Sequence, residues 1–261
     1  MGHSLSSSRM PHPRTFRVTG GVYCVMRRSY FTCSYLVVAE GVGVVAVDAG
    51  MKSSGRDMLY ALREIGKTPR DVKLILLTHW HNDHTAGACE LAEASGAEVF
   101  YHQSEADNLT RRSASLGIRR AVSNLVPETG PFVLFKGLLE NAPKRGVRAT
   151  RHVKGGDALP GGFEVVDTPG HTAGHVSYFY RPGGVLFAGD ALAVIAGRLR
   201  FMARPVTEDL AAARQSMLRL LDLPVDHVCP GHREPLPDRA RPECERMRQY
   251  LLAGGKWPLF G

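Results

Sequence analysis

The sequence predicts an α/β protein, and three observations predict it. Short runs rich in Val, Ile and Tyr alternate with segments of helical periodicity up to about residue 101. In the second half, strand-like runs end on Gly followed by His or Asp, at Gly170-His171, Gly189-Asp190 and Gly231-His232. Finally, 261 residues that are 44% hydrophobic and 22% charged can bury a substantial core, as one large domain or two intimately packed halves.

In chain order, Phe16–Val25, Tyr35–Ala39 and Val42–Asp48 read as strands separated by glycine turns. Ser54 fits the N-cap of a helix to about Ile65, whose apolar positions Met58, Leu59, Leu62 and Ile65 recur at helical spacing. Val72–Leu77 is a continuous apolar run of the kind a buried strand requires, Ala88–Ala94 a helix, and Glu98–Tyr101 a short strand. Residues 103–154 break the alternation with three prolines and read as an insertion. Strands return at Phe163–Thr168, Val176–Tyr180, Val185–Ala188 and Val225–Cys229, with helices over about 208–221, behind Thr207, and 239–252. The apolar end, Lys256–Phe260, is expected to dock on the body or on a second subunit.

Chemistry concentrates at Thr78–Gly87, where His79, His81, Asp83 and His84 fall within six residues between a strand and a helix. Residues at i and i+2 of such a turn can lie on one side, so His79 and His81 can share a metal while Asp83 and His84 point elsewhere. Imidazole with carboxylate and no cysteine suits zinc, with iron or manganese as alternatives. The strand ends of the second half add His171, Asp190 and His232, and loops at strand ends are where a site assembles from distant sequence. The expected grouping is His79, His81 and His171 for one ion and Asp83, His84 and His232 for the other, with Asp190 between them. His175 and Asp48 are expected behind the ligands, orienting a ligand or loop, and Trp80 is expected to pack. His102, His152 and His227 have no partner spacing and read as structural or exposed.

Other features narrow the class. Met1–Arg14 is polar, without the apolar core of a signal peptide or anchor, and reads as a disordered tail before a single domain over 15–261. No apolar stretch is long enough to span a bilayer. Five scattered cysteines point to a reducing compartment, hence the cytoplasm. The net charge of +8 arises largely between Arg111 and Lys154, where ten basic residues face only Glu128 and Glu140. That stretch is compatible with a lid that attracts anions or with a solvated face. Its apolar run Pro131–Leu139 is compatible with a pocket wall or a homodimer interface.

Together the H-x-H-x-D-H run at His79–His84, the T-P-G-H-T-x-G-H stretch at Thr168–His175, F-x-G-D at Phe187–Asp190, the late G-H at His232 and the early V-D-x-G at Val47–Gly50 carry a resemblance. Over about residues 16–236 the chain resembles the metallo-β-lactamase-fold hydrolases, nearest their glyoxalase II-like and general metallo-hydrolase branch. The resemblance implies a four-layer αβ/βα sandwich with a dinuclear centre in a cleft along one edge, Asp190 bridging. Where one large class of zinc β-lactamases places a cysteine, this chain has Asp190, which argues against antibiotic hydrolysis as the main role. A long C-terminal substrate domain of the glyoxalase II kind is also missing, which argues against a glutathione thioester.

Two metals roughly 3.5–4 Å apart would lower the pKa of a shared water to about 7 and leave a Lewis acid for the oxygen under attack. The expected activity is therefore hydrolysis of an ester, thioester or lactone-type bond in a small substrate, with Asp83 orienting the bridging hydroxide and shuttling its proton. Neither a G-x-S-x-G elbow nor a Walker-type phosphate loop is present to suggest another mechanism. The competing readings are a phosphodiesterase or nuclease, a mononuclear iron persulfide dioxygenase, and weak β-lactamase activity. Nucleic acid is disfavoured as a partner because few aromatic residues interleave with the arginines.

Overall fold

Two β-sheets stand face to face because their strands alternate side chains between an inner and an outer apolar layer. The computed structural model describes residues 12–27, 31–51, 54–110 and 145–259. The first sheet contains β1 (Arg14–Thr19), β2 (Val22–Arg27), β3 (Thr32–Ala39), β4 (Gly43–Val47), β5 (Val72–Leu76), β6 (Glu98–His102) and β7 (Arg151–Val153), paired in that order. Its first four strands are antiparallel neighbours, and β4 to β7 are parallel. The second sheet runs in the order β14 (His227–Pro230), β11 (Val185–Gly189), β10 (Val176–Tyr180), β9 (Phe163–Asp167) and β8 (Ala158–Leu159). There β14 pairs parallel with β11 and the other pairs are antiparallel. A small hairpin, β12 (Ala193–Ile195) and β13 (Arg198–Arg200), follows β11.

The layers follow from the two-residue period of strands. Tyr35, Val37, Leu74 and Leu76 of the first sheet pack against Val165, Tyr178 and Phe187 of the second. Their sequence neighbours face outward. Leu36, Ala46 and Ile75 meet α1 (Arg56–Glu64) and α3 (Ala88–Ser95) through Met58, Leu62 and Leu91. Phe179, Leu186 and Val228 meet α5 (Leu210–Leu221) and α6 (Ala240–Leu252) through Met217, Leu220 and Met247. The order helix, sheet, sheet, helix is the four-layer αβ/βα sandwich. Among the described residues no helix is long and apolar enough to cross a membrane.

Several expectations need correction. Phe16–Val25 is two strands, β1 and β2, folded across Gly20 and Gly21. Helix α1 starts behind Gly55 rather than Ser54: the chain enters at φ 61°, a left-handed conformation favourable for glycine, and no side chain caps it. Helix α5 is capped by Asp209, whose Oδ1 accepts from the amides of Ala211 and Ala212. Thr207 is instead drawn back to the carbonyl of Ala203. The expected insertion is narrower at its flanks. Residues 103–110 form a 3-10 turn and α4 (Ala106–Thr110), and Arg151–Val153 is a strand of the first sheet. Arg145 pairs with Glu90 and Glu93 of α3, so it is held against the body. Residues 111–144, with the proposed lid and the run Pro131–Leu139, lie outside the described residues, as does the tail up to residue 11.

The C-terminal segment docks on the body. Trp257 packs at a tilt against Phe201 with ring centres 4.5 Å apart and donates from Nε1 to the carbonyl of Met202 at 2.8 Å.

Candidate metal centre

Every candidate ligand lies just beyond the C-terminal end of a strand, and cross-sheet hydrogen bonds bring those ends together. Val176 N–H donates to the Thr78 carbonyl at 2.9 Å and the Tyr178 hydroxyl to the Leu77 carbonyl at 2.9 Å, tying β10 to the loop after β5. Cys33 N–H donates to the Gly231 carbonyl at 2.7 Å and the Tyr35 hydroxyl to the Pro230 carbonyl at 2.6 Å, tying β3 to the loop after β14. Two glycines allow the close approach. A Cβ on Gly231 would collide with Asp190 Oδ1 and lie 2.6 Å from a ring carbon of His84. Gly189 has φ +51°, and a Cβ there would lie 2.6 Å from His175 Nε2.

In the first set, Nε2 of His79 lies 3.0 Å from Nδ1 of His81, and Nε2 of His171 lies 2.9 Å from that same Nδ1. Three ring nitrogens thus converge on one point. The second set is formed by Asp83 and His84 of the short helix α2 (Asn82–Thr85) with His232. His232 Nε2 is 3.3 Å and His84 Nε2 3.8 Å from Asp83 Oδ2. Asp190 faces both sets: Oδ2 lies 3.4 Å from His171 Nε2 and 3.4 Å from His232 Nε2, and Oδ1 lies 3.5 Å from His84 Nε2. Donor atoms within each of the triads His79/His81/His171, His79/His84/Asp190 and Asp83/His84/His232 lie within 4.8 Å of one another. The structure therefore brings together all seven residues named from the sequence.

Asp48 and His175 stand where the sequence placed them, behind the ligands. Asp48 Oδ2 lies 2.8 Å from Nδ1 of His84, and Oδ1 accepts the amide of Thr78 at 2.9 Å. The Thr78 hydroxyl donates to the same carboxylate and lies 3.0 Å from His79 Nδ1. With its hydrogen spent on Asp48, that hydroxyl accepts from His79 Nδ1–H. The lone pair on His79 Nε2 is thereby turned into the site, while Asp48 turns His84 Nε2 the same way. The sequence marks Asp48 through its place at a strand end and in the V-D-x-G run; the two rings it controls are visible in the fold alone.

The electrostatics divide the cluster. Burial, followed by neighbouring imidazoles, holds His79 well below the ordinary imidazole value, and burial likewise lowers His81 and His171. Neutral rings are what metal ligation requires. Burial opposes protonation of His84 too, but Asp190, Asp83 and Asp48 raise it to about 9. His232 is raised well above its ordinary value, against burial, by Asp190 and Asp83. Burial would raise both carboxyls, yet Asp83 is held low mainly by His84 and His232, and Asp190 by His232, His84 and His171.

The donor set fits divalent metal ions. His84 Nε2 and Asp190 Oδ1 are buried, aimed at common space, and make no hydrogen bond. Unsatisfied buried polar atoms are costly and uncommon, and a cation between them removes the cost.

Sequence reasoning missed Glu105. Its side chain is buried at the end of the 3-10 turn Gln103–Glu105 and accepts hydrogen bonds from both ligand loops. Nothing in its sequence context marks it, because its partners are 25 and 67 or more residues away. His102, His152 and His227, read as structural or exposed, stand outside the converging donor sets. His102 Nδ1 accepts the Ser104 amide, His227 Nδ1 accepts that of Asp238, and His152 packs edge-on against Tyr101.

Histidine and carboxylate donors converging at one edge of a four-layer sandwich make a metal centre, and comparison with known proteins makes this chain a metal-dependent hydrolase. The family model described as the metallo-beta-lactamase superfamily matches residues 29–232, and the chain belongs to that superfamily. It is 30% identical over 218 residues to the probable metallo-hydrolase YflN of Bacillus subtilis (strain 168), covering 76% of this chain and 78% of that protein. It is 31% identical over 191 residues to a hydroxyacylglutathione hydrolase of Halorhodospira halophila, covering 69% of this chain but only 56% of the relative. Among solved structures, the metallo-beta-lactamase SMB-1 shares the fold with a TM-score of 0.65 at 23% identity, covering 93% of this chain and 96% of that one.

Proposed function

We propose that the chain is a dinuclear metallo-hydrolase that cleaves an ester, thioester or lactone-type bond of a small substrate, with zinc in both sites. The observation that carries this reading is the placement of Asp190, whose two oxygens face His171 and His232 on one side and His84 on the other, so that one carboxylate serves both donor sets. Iron or manganese would suit the same donors.

Bound divalent metals would supply a Lewis acid for the oxygen under attack and a water acidic enough to act near neutral pH. His79, His81 and His171 would hold one ion, and Asp83, His84 and His232 the other. Asp48 and His175 keep the donors aimed. Asp83 and His232 are partly accessible, with side chains 27% and 24% exposed, whereas Asp190 is 4% exposed. Asp83 is therefore placed to meet substrate, to orient the attacking water and to relay its proton to the leaving group.

The hydroxyacylglutathione hydrolases among the relatives favour an acyl substrate, although this chain spans about half their length. The five unpaired cysteines support a reducing compartment such as the cytoplasm. The test is elemental analysis of protein purified without added metal, followed by a screen of the zinc-loaded enzyme over esters, thioesters, lactones, phosphodiesters and a β-lactam. Close to two metals per chain and turnover confined to acyl substrates is the expected result. A single tightly bound iron with persulfide-dependent oxygen uptake would replace this reading.

A further inference from the structure

Trp80 lies between two of the converging imidazoles, and Thr172 to Gly174 follow the third. The backbone of the first stretch and the backbone and hydroxyl of the second all reach one side chain. Glu105 Oε2 accepts the Trp80 amide at 2.9 Å, while Oε1 accepts the Gly174 amide at 2.7 Å and the Thr172 hydroxyl at 3.1 Å. The carboxylate is 1% exposed, and among the described residues no lysine or arginine pairs with it. Among the described residues three hydrogen-bond donors balance this buried carboxylate, which is a costly arrangement unless the geometry is enforced. The packing is tight as well: a Cβ on Gly174 would lie 2.5 Å from Glu105 Oε1.

We infer that Glu105 is a positioning residue for the first metal site, setting the separation between the His79/His81 loop and the His171 loop. This rests on the metal-centre reading above. The position is rigid at its own end: Glu105 follows β6 directly, and His102 caps the turn through the Ser104 amide. The three imidazoles are contributed by loops from opposite sheets, so their spacing depends on whatever couples those loops. Glu105 couples them through a third strand end and touches no ligand ring itself. Because all its partners are donors, an amide cannot replace it. A Gln oxygen can serve Thr172 and Gly174, but its NH2 then faces the Trp80 N–H.

The experiment compares wild type, Glu105→Gln and Thr172→Val by chelator competition, cobalt absorption spectroscopy and thermal unfolding. Glu105→Gln is expected to stay folded, to bind metal at the His79/His81/His171 site about tenfold or more weakly and to show an altered cobalt spectrum, in line with residues that orient ligands. Thr172→Val, which removes one donor, should shift both readouts in the same direction by less. Wild-type affinity and spectrum in Glu105→Gln would overturn the inference. Should Glu105→Gln fail to fold, unchanged metal affinity in Thr172→Val would overturn it equally. Wild-type protein that takes up no metal would overturn the metal-centre reading itself, a result distinguishable from either.

Discussion

The backbone N–H of Asp190 donates to Nε2 of His175 at 2.9 Å, and this bond sets the direction of a buried chain. Because Nε2 must accept, the proton sits on Nδ1, which donates to the Thr168 hydroxyl at 2.7 Å. That hydroxyl then donates to Ser177 at 3.0 Å, and Ser177 to the carbonyl of Ala188 at 3.1 Å, two residues before Asp190. The loop that carries Asp190 is held at both ends by one network whose polarity allows only neutral His175.

A pH dependence follows. Burial, ahead of neighbouring charges, takes His175 down to about 3, below its ordinary value of 6.5. Between those values the unfolded chain binds a proton that the folded chain does not, so stability falls as pH drops below 6.5 and continues falling toward 3. At about 1.4 kcal/mol per pH unit, the loss from pH 6.5 to 5 is about 2 kcal/mol for this group. Urea unfolding of the metal-free protein should show an acid slope to which buried His79, His81 and His171 contribute in the same direction, and His175→Gln should reduce it by about that amount. An unchanged slope in the variant would assign acid sensitivity to other groups.

Metal uptake should release protons. In the metal-free protein His84 holds a proton up to about pH 9, and His232 is raised in the same direction. Both must deprotonate to ligate, so affinity rises with pH toward that range and loading at pH 7.5 frees about two protons. Calorimetry in buffers of differing ionisation enthalpy measures this directly. Buffer-independent heats would mean that these rings are not ligands.

Asp48→Asn should weaken metal binding by about tenfold to a hundredfold while the fold persists. Asp48 meets a backbone amide on one oxygen and His84 Nδ1 on the other, so an Asn NH2 must oppose one of those donors. Chelator competition resolves the change. Wild-type affinity would show that the ring of His84 is aimed by something else.

His81→Ala should empty the first site and lower turnover at least about a hundredfold without unfolding the chain. His81 is partly exposed at the edge of the sandwich, whereas side chains such as Tyr178, Phe187 and Met217 are fully buried. Each of those contributes about 1.5–3 kcal/mol of burial that the variant keeps. Circular dichroism and metal content should be measured alongside rate. Full turnover at full metal content would remove His81 from the centre.

The order of strands and helices, and the seven donors, were legible in the sequence because both are local signals. Alternating and continuous apolar runs report which faces are covered, and an H-x-H-x-D-H run places four donors beside each other whatever the rest of the chain does. Less legible were features set by competition between neighbours: Gly55 and Asp209 start their helices because a left-handed entry and a nearer carboxylate prevail over Ser54 and Thr207. The short strands β7, β8, β12 and β13 carry too few residues for any period to show. Tertiary structure alone decided which donor or ligand loop each of these residues controls. Asp48 reaches His84 across 36 residues, His175 meets the amide of Asp190 across 15, and Glu105 joins loops that converge only when the two sheets pack. Hydrogen bonds of that kind depend on distances set by side-chain packing between layers, and no window of sequence contains both ends of such a distance.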